Sequence, residues 1–194
     1  KPGCDCDRYM EIWNNVFSQF NNDGNGNYTE LAQKNIDTGM GLERLACVMQ
    51  GVDSMFDVDT IQNIISAISE KAGIKYKENE KADISMRIIA DHMRASSFLI
   101  ADGVMPSNEG RGYVLRRLIR RACRHGRLLG IKGAFLDDII KVVAHENKSA
   151  YPMLTEKLDY ICKIAGLEEE RFSRTVESGM NLLENLMSAA EENG

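Results

Sequence analysis

The sequence has no apolar run approaching membrane-spanning length, and nothing at its start reads as a signal or transit peptide. These absences point to a cytoplasmic protein without a membrane partner. It also lacks a regular cysteine framework. Cys4, Cys6, Cys47, Cys123 and Cys162 are odd in number and irregular in spacing, which argues against disulfides and fits a reducing compartment. Zinc spacing is missing too. Cys4 and Cys6 are only two apart with no histidine near, while His92, His125 and His145 stand singly, so no metal site is expected. No internal repeat or low-complexity linker is present. The first residue is Lys rather than Met, which suggests an excerpt from a longer protein.

What is present is an ordinary globular composition, 43% hydrophobic and 27% charged over 194 residues. That length suits one sizeable domain, or one domain plus part of another. The net charge of -5 discourages a nucleic-acid partner, but it hides an asymmetry. From Arg111 to Lys132 the chain carries Arg111, Arg116, Arg117, Arg120, Arg121, Arg124 and Arg127 with no acidic residue. A local basic stripe matters more for polyanion binding than the total does.

The hydropathy pattern changes period once. Residues 9–20 alternate as a strand with apolar bulk on both faces. Such a strand is expected to be covered on both sides by sheet and helix neighbours, and to be exposed where those are absent. A turn dense in Asn, Asp and Gly follows at 21–27, then a return strand leading to Asp37. A helix starts near Gly41, and beyond Gly51 the pattern is helical throughout: a stripe from Val58 to Ala72, then helices near 82–100, from Tyr113, and over 134–145, 153–165 and 167–190. Glu168 to Glu170 are expected at the N-terminus of the last of these, where the helix dipole favours acid. The fold class is therefore α+β and mainly α, a short antiparallel strand pair followed by a helical bundle. The expected divisions are 1–55, 56–190 and a tail at 191–194.

The densest chemistry lies in Ile36-Asp37-Thr38-Gly39-Met40-Gly41-Leu42-Glu43-Arg44. Asp37 and Gly39 share one strand face, so a carboxylate sits beside bare backbone that a ligand can approach closely. Arg44 falls in the first helical turn, where a fixed cation is mildly unfavourable unless an anion sits there too. This order suits a ligand with an ammonium at one end and phosphates at the other. On residues alone, Asp37 serves equally well as a helix cap.

The stretch resembles motif 3 of class II aminoacyl-tRNA synthetases, in the form found in the alanyl-tRNA synthetase family. Two collinear segments agree: Glu11 to Phe20 resembles the strand before motif 3, and Arg87–Arg94 through Gly110–Arg121 resembles that family's tRNA-recognition domain. The resemblance implies that residues 1–55 are the end of a class II catalytic core and 56–190 a helical tRNA-recognition domain. It implies that Asn14 and Asp37 hold the substrate ammonium, that Val16 and Gly39 border a methyl-sized cavity, and that Gly41 and the catalytic Arg44 meet ATP. ATP and Mg²⁺ are the parent's cofactors, with none expected on this piece by itself. Motifs 1 and 2, which complete the ATP site, are not in this chain. The His-x-x-x-His metal site of the family's editing domain is absent as well, so its zinc belongs elsewhere.

The resemblance also implies a tRNA(Ala) acceptor-stem partner, contacted by Asn108, Arg111, Arg116, Arg117, Arg120, Arg121 and Arg124. Asn108 matches the family's reader of a G·U wobble pair, and the acidic partner in that readout lies beyond position 194. The plainer readings are a turn asparagine at 108 and arginines pairing with carboxylates such as Asp91 or Asp102. The rival to an alanine-specific ligase fragment is a non-catalytic helical RNA-binding module.

Overall fold

The computed structural model describes residues 9–192, with side chains to residue 189. Cys4, Cys6 and the end of the 191–194 tail lie outside that range. The fold is α+β and mainly α, in two compact units, Lys1–Val58 and Asp59–Gly194.

The first unit holds strands β1 (Trp13–Asn22) and β2 (Tyr28–Met40), helix α1 (Leu42–Gln50) and a short 3-10 turn at Met55–Asp57. The strands pair antiparallel, with a register shift between Ser18 and Phe20. Their turn is held by side chains. Asp23 Oδ1 accepts from the backbone N–H of Asn25 at 2.8 Å and of Asn27 at 3.2 Å. Neither face of β1 is covered: Val16 is 48% and Phe17 73% exposed. These residues occupy opposite faces, so the strand shows the exposure expected of it without sheet neighbours.

The second unit is a bundle of α2 (Asp59–Ala72), α3 (Glu80–Ala101), α4 (Gly110–Leu128), α5 (Leu136–Asn147), a one-turn α6 (Met153–Glu156) and α7 (Leu158–Glu192). Gly73, at a φ of +64°, ends α2, and the Asn79 side chain caps α3 by accepting from Lys81 and Ala82. Helix α3 is central and packs on α2, α4, α5 and α7. Ile64 and Ile68 of α2, Ile89 and Met93 of α3, Leu115 and Ile119 of α4 and Ile139 of α5 are all shielded from solvent. Each such side chain contributes roughly 1.5–3 kcal/mol of burial. Packing is tight where α4 meets the start of α5. A Cβ on Gly126 would lie 2.4 Å from the Phe135 ring, so only glycine fits.

The last helices differ from the sequence expectation. The chain breaks at Lys157 and then runs as one 35-residue helix, α7, through Gly166. Glycine inside a helix costs about 1 kcal/mol relative to alanine. Burial of Ile161 and Ala165 on the bundle offsets that cost. Glu168 and Glu169 therefore lie mid-helix and buried rather than at a solvated N-terminus. The distal part of α7 leaves the apolar positions Met180, Leu183 and Met187 half exposed.

Candidate functional sites

In the first unit, the β1–β2 register sets Asn14 directly opposite Gly39 and Val16 directly opposite Asp37. Cross-strand partners share a face and lie about 5 Å apart, so all four residues line one face of the hairpin. The opposite face carries its own network: Trp13 Nε1 donates to Thr38 Oγ1 at 2.5 Å, and Thr38 Oγ1 lies 2.8 Å from Asn15 Oδ1.

Gly39 has no internal reason to be glycine. Its φ is unexceptional, and an added Cβ would meet nothing within 4 Å. Gly41 is different. It precedes α1 as N-cap, its N–H donates to Ile12 O at 3.0 Å, and a Cβ there would crowd the Arg44 stem at 3.1 Å. Asp37 lies within β2, and α1 has no side-chain cap bond, so the capping alternative does not apply.

Glu11 organises this face, and sequence reasoning did not single it out. Its carboxylate Oε2 accepts from Asn14 Nδ2 at 3.2 Å, and its carbonyl accepts from Arg44 Nη1 at 2.6 Å. The first contact turns Asn14 Oδ1, an acceptor, toward free space. The second fixes one edge of an exposed guanidinium and leaves its other donors available. The link from Arg44 spans 33 residues and carries no local pattern by which a sequence could reveal it.

In the second unit, Asn108 sits in the loop that crosses the first turn of α4. The loop fits there because Gly112 has no Cβ; one would lie 2.2 Å from Met105 O and 2.3 Å from Ser107 Oγ. Ser107 Oγ donates to Glu109 O at 2.7 Å, and Arg116 Nη1 donates to Asn108 Oδ1.

The arginines of α4 divide into two groups. Arg120 Nε lies 2.6 Å from Oε1 of Glu168, and its guanidinium rests over the Phe172 ring. Arg127 pairs with Glu177 at 3.7 Å. The carboxylate partners thus come from α7 rather than being Asp91 or Asp102, because the unbroken helix carries acid alongside α4. Arg111, Arg117, Arg121 and Arg124 stay exposed, with Arg117 over the Tyr113 ring at 5.8 Å. The field of this exposed group reaches its neighbours. His125 is held below its ordinary value by burial and by Arg121 and Arg124. Asp91 is lowered by its hydrogen bond from His92, with Arg94 and Arg121 adding to the effect against partial burial.

Cys123 and Cys162 are unsuited to nucleophilic chemistry. Burial pushes the Cys123 thiol up to about 12 and that of Cys162 to about 11. Among the described residues no group of three or more His, Cys, Asp or Glu side chains converges to hold a metal ion, and no helix is long and apolar enough to cross a membrane.

The family model described as tRNA synthetases class II (A) matches residues 1–194. The chain belongs to the class II (A) tRNA synthetases. Curated relatives agree along its length. It is 58% identical over 194 residues to the alanine–tRNA ligase of Clostridioides difficile (strain 630), covering 100% of this chain and 22% of that protein. Alanine–tRNA ligase 1 of Lachnoclostridium phytofermentans is 56% identical over 192 residues, 99% of this chain and 22% of that protein. The alanine–tRNA ligase of Acetivibrio thermocellus is 52% identical over 194 residues, again with 22% of its length covered. This class II chain thus spans about a fifth of the length of the relatives it matches.

Proposed function

We propose that this chain is part of an alanine–tRNA ligase. The observation that carries the reading is the 58% identity to such a ligase over every residue of the chain. That match spans the hairpin as well as the helices, which disfavours a helical RNA-binding module with idle strands. The parent reaction has two steps. The alanine carboxylate attacks the α-phosphorus of ATP, giving alanyl-adenylate and pyrophosphate; a hydroxyl at the tRNA 3′ end then attacks the alanyl carbonyl and releases AMP.

The hairpin face supplies part of the first site. An ammonium needs acceptors, and Asp37 with Asn14 Oδ1 offers them. Val16 and Gly39 leave room between them for one methyl group. Arg44, with Gly41 giving its stem space, faces the phosphates as a fixed planar donor. Catalysis by such a set is positioning and charge stabilisation. Magnesium serves this chemistry in the class, but the described residues form no cage for it. The exposed arginines of α4 and the Asn108 loop face the tRNA acceptor stem. The rest of the ATP site, the editing domain and its zinc belong to other parts of such a ligase. A methyl-sized pocket rejects glycine poorly, which is why a separate editing site is needed.

The test is amino-acid-dependent ATP–pyrophosphate exchange by the complete ligase carrying this sequence. Exchange driven by alanine, and lost in Asp37→Ala, is expected. Exchange driven by another amino acid and not by alanine overturns the reading.

A further inference from the structure

We infer that Arg116 is a positioning residue for Asn108, fixing its amide so that the loop meets RNA as a hydrogen-bond donor. This rests on the proposed role of Asn108 at the acceptor stem and goes beyond it by naming which atoms can be read.

The argument begins with the contact between Arg116 Nη1 and Asn108 Oδ1. A guanidinium has donors and no acceptor, so it can face only the oxygen of an asparagine amide. The chemistry of the partner therefore settles an orientation that the amide alone leaves open. With the oxygen engaged, the NH₂ group points away from Arg116. No hydrogen bond within the described residues uses it.

Both ends of this contact are held. The loop is pressed onto α4 at Gly112, where not even a Cβ would fit, and Ser107 ties it to the Glu109 carbonyl. Arg116 is half-buried, and one turn on, Arg120 is anchored to buried Glu168. Arg116 thus differs from its exposed neighbours Arg117, Arg121 and Arg124, whose charges face solvent. Its guanidinium is committed to the loop.

The consequence concerns groove chemistry. In the shallow groove of A-form RNA the acceptors are pyrimidine O2, purine N3 and the ribose 2′-oxygen, and the one base donor is the guanine amino group. An outward NH₂ seeks an acceptor and is repelled by that amino group. Asn108, oriented in this way, reads an acceptor of the pair rather than the guanine amine.

The complete ligase tests this on short acceptor-stem duplexes carrying G·U, a swapped pair, or inosine·U, which lacks the amino group. Asn108→Ala should lower kcat/KM on G·U and on inosine·U by the same factor, about tenfold, the scale of one good base contact. Arg116→Gln should shrink the preference for G·U over the swapped pair, while the salt dependence of binding stays at its wild-type slope. Arg116→Lys, which keeps the charge but not the fork, should fall between. If Arg116→Gln instead lowers all duplexes equally and flattens the salt slope by about one, Arg116 is a phosphate contact and the inference fails. If the Asn108→Ala loss vanishes on inosine·U, the amide faces the guanine amine through its oxygen, and the inference fails again. If Asn108→Ala lowers G·U and swapped-pair duplexes alike, the underlying reading of Asn108 fails first.

Discussion

Arg120 and Glu168 meet at 2.6 Å across α4 and α7, and the Glu168 carboxylate is only 3% exposed. A carboxylate withdrawn from water to this degree depends on its partner, and Phe172 beneath the guanidinium shields the pair further. Arg120→Ala leaves that charge buried and unpaired, and should lower the unfolding free energy by about 3–5 kcal/mol. Replacing both residues together by Met and Leu should cost far less. Urea unfolding of the single and double variants, followed by the helical signal, checks both.

Asp37→Ala and Arg44→Ala in the complete ligase should each impair alanine activation with little change in helical content, because both side chains are exposed and neither holds a core. Glu11→Ala should be milder, since its carbonyl stays to receive Arg44 while Asn14 loses its orienting carboxylate. ATP–pyrophosphate exchange is the measurement, and normal rates in both primary variants would contradict the assignment.

Charge reversal at Arg117, Arg121 and Arg124 should weaken tRNA binding whatever the sequence of the acceptor stem. Each lost phosphate contact should reduce the slope of log affinity against log salt by about one. Titrations at several salt concentrations read this directly; an unchanged slope in the triple variant would remove the α4 face from the RNA interface.

Gly112→Ala should destabilise the helical unit even though alanine favours helix by about 1 kcal/mol over glycine. Its Cβ would lie 2.2 Å from the Met105 carbonyl, and backbone cannot yield as a side chain can. Overpacking of this kind costs about 1–3 kcal/mol. A lower thermal midpoint than wild type is the expected result.

The hairpin, the bundle and the arginine stripe were legible in the sequence because each is written in a local period. That Asn14, Val16, Asp37 and Gly39 can line one pocket followed once the two strands were taken to pair, but which residue stands opposite which came only with the register. What stayed hidden was long-range. Nothing near Arg120 announces Glu168, nothing near Asn108 announces Arg116, and Glu11 looked like any strand residue. Gly166 read as a helix break because its local preference is visible and the tertiary burial of Ile161 and Ala165 is not. The acidic cluster beyond it was consequently given to the wrong helix end.

Glu169 shows what that cluster does. Its Oε1 accepts from the Phe135 N–H at 3.1 Å, so it caps α5 from another helix. Burial raises its carboxyl above the ordinary 4.5, with the backbone bonds from Phe135 and Leu136 opposing. A raised folded-state value means the folded protein holds the proton longer than the unfolded chain, so stability is lost as pH rises from about that ordinary value through the raised one. Glu169→Gln keeps an acceptor without the charge. Its thermal midpoint should match wild type in acid and exceed it increasingly as pH rises through that window; a gap that closes toward neutral pH would refute the sign.

The same contact sets an order of events during synthesis. The first turn of α5 has no side-chain cap of its own, and the group that completes it lies 34 residues downstream. On the ribosome, α5 can coil before that residue emerges, but the amides at its start stay open to water until α7 reaches them. Closure of that turn is therefore a late step, and protection of the Phe135 amide marks the moment the bundle is whole.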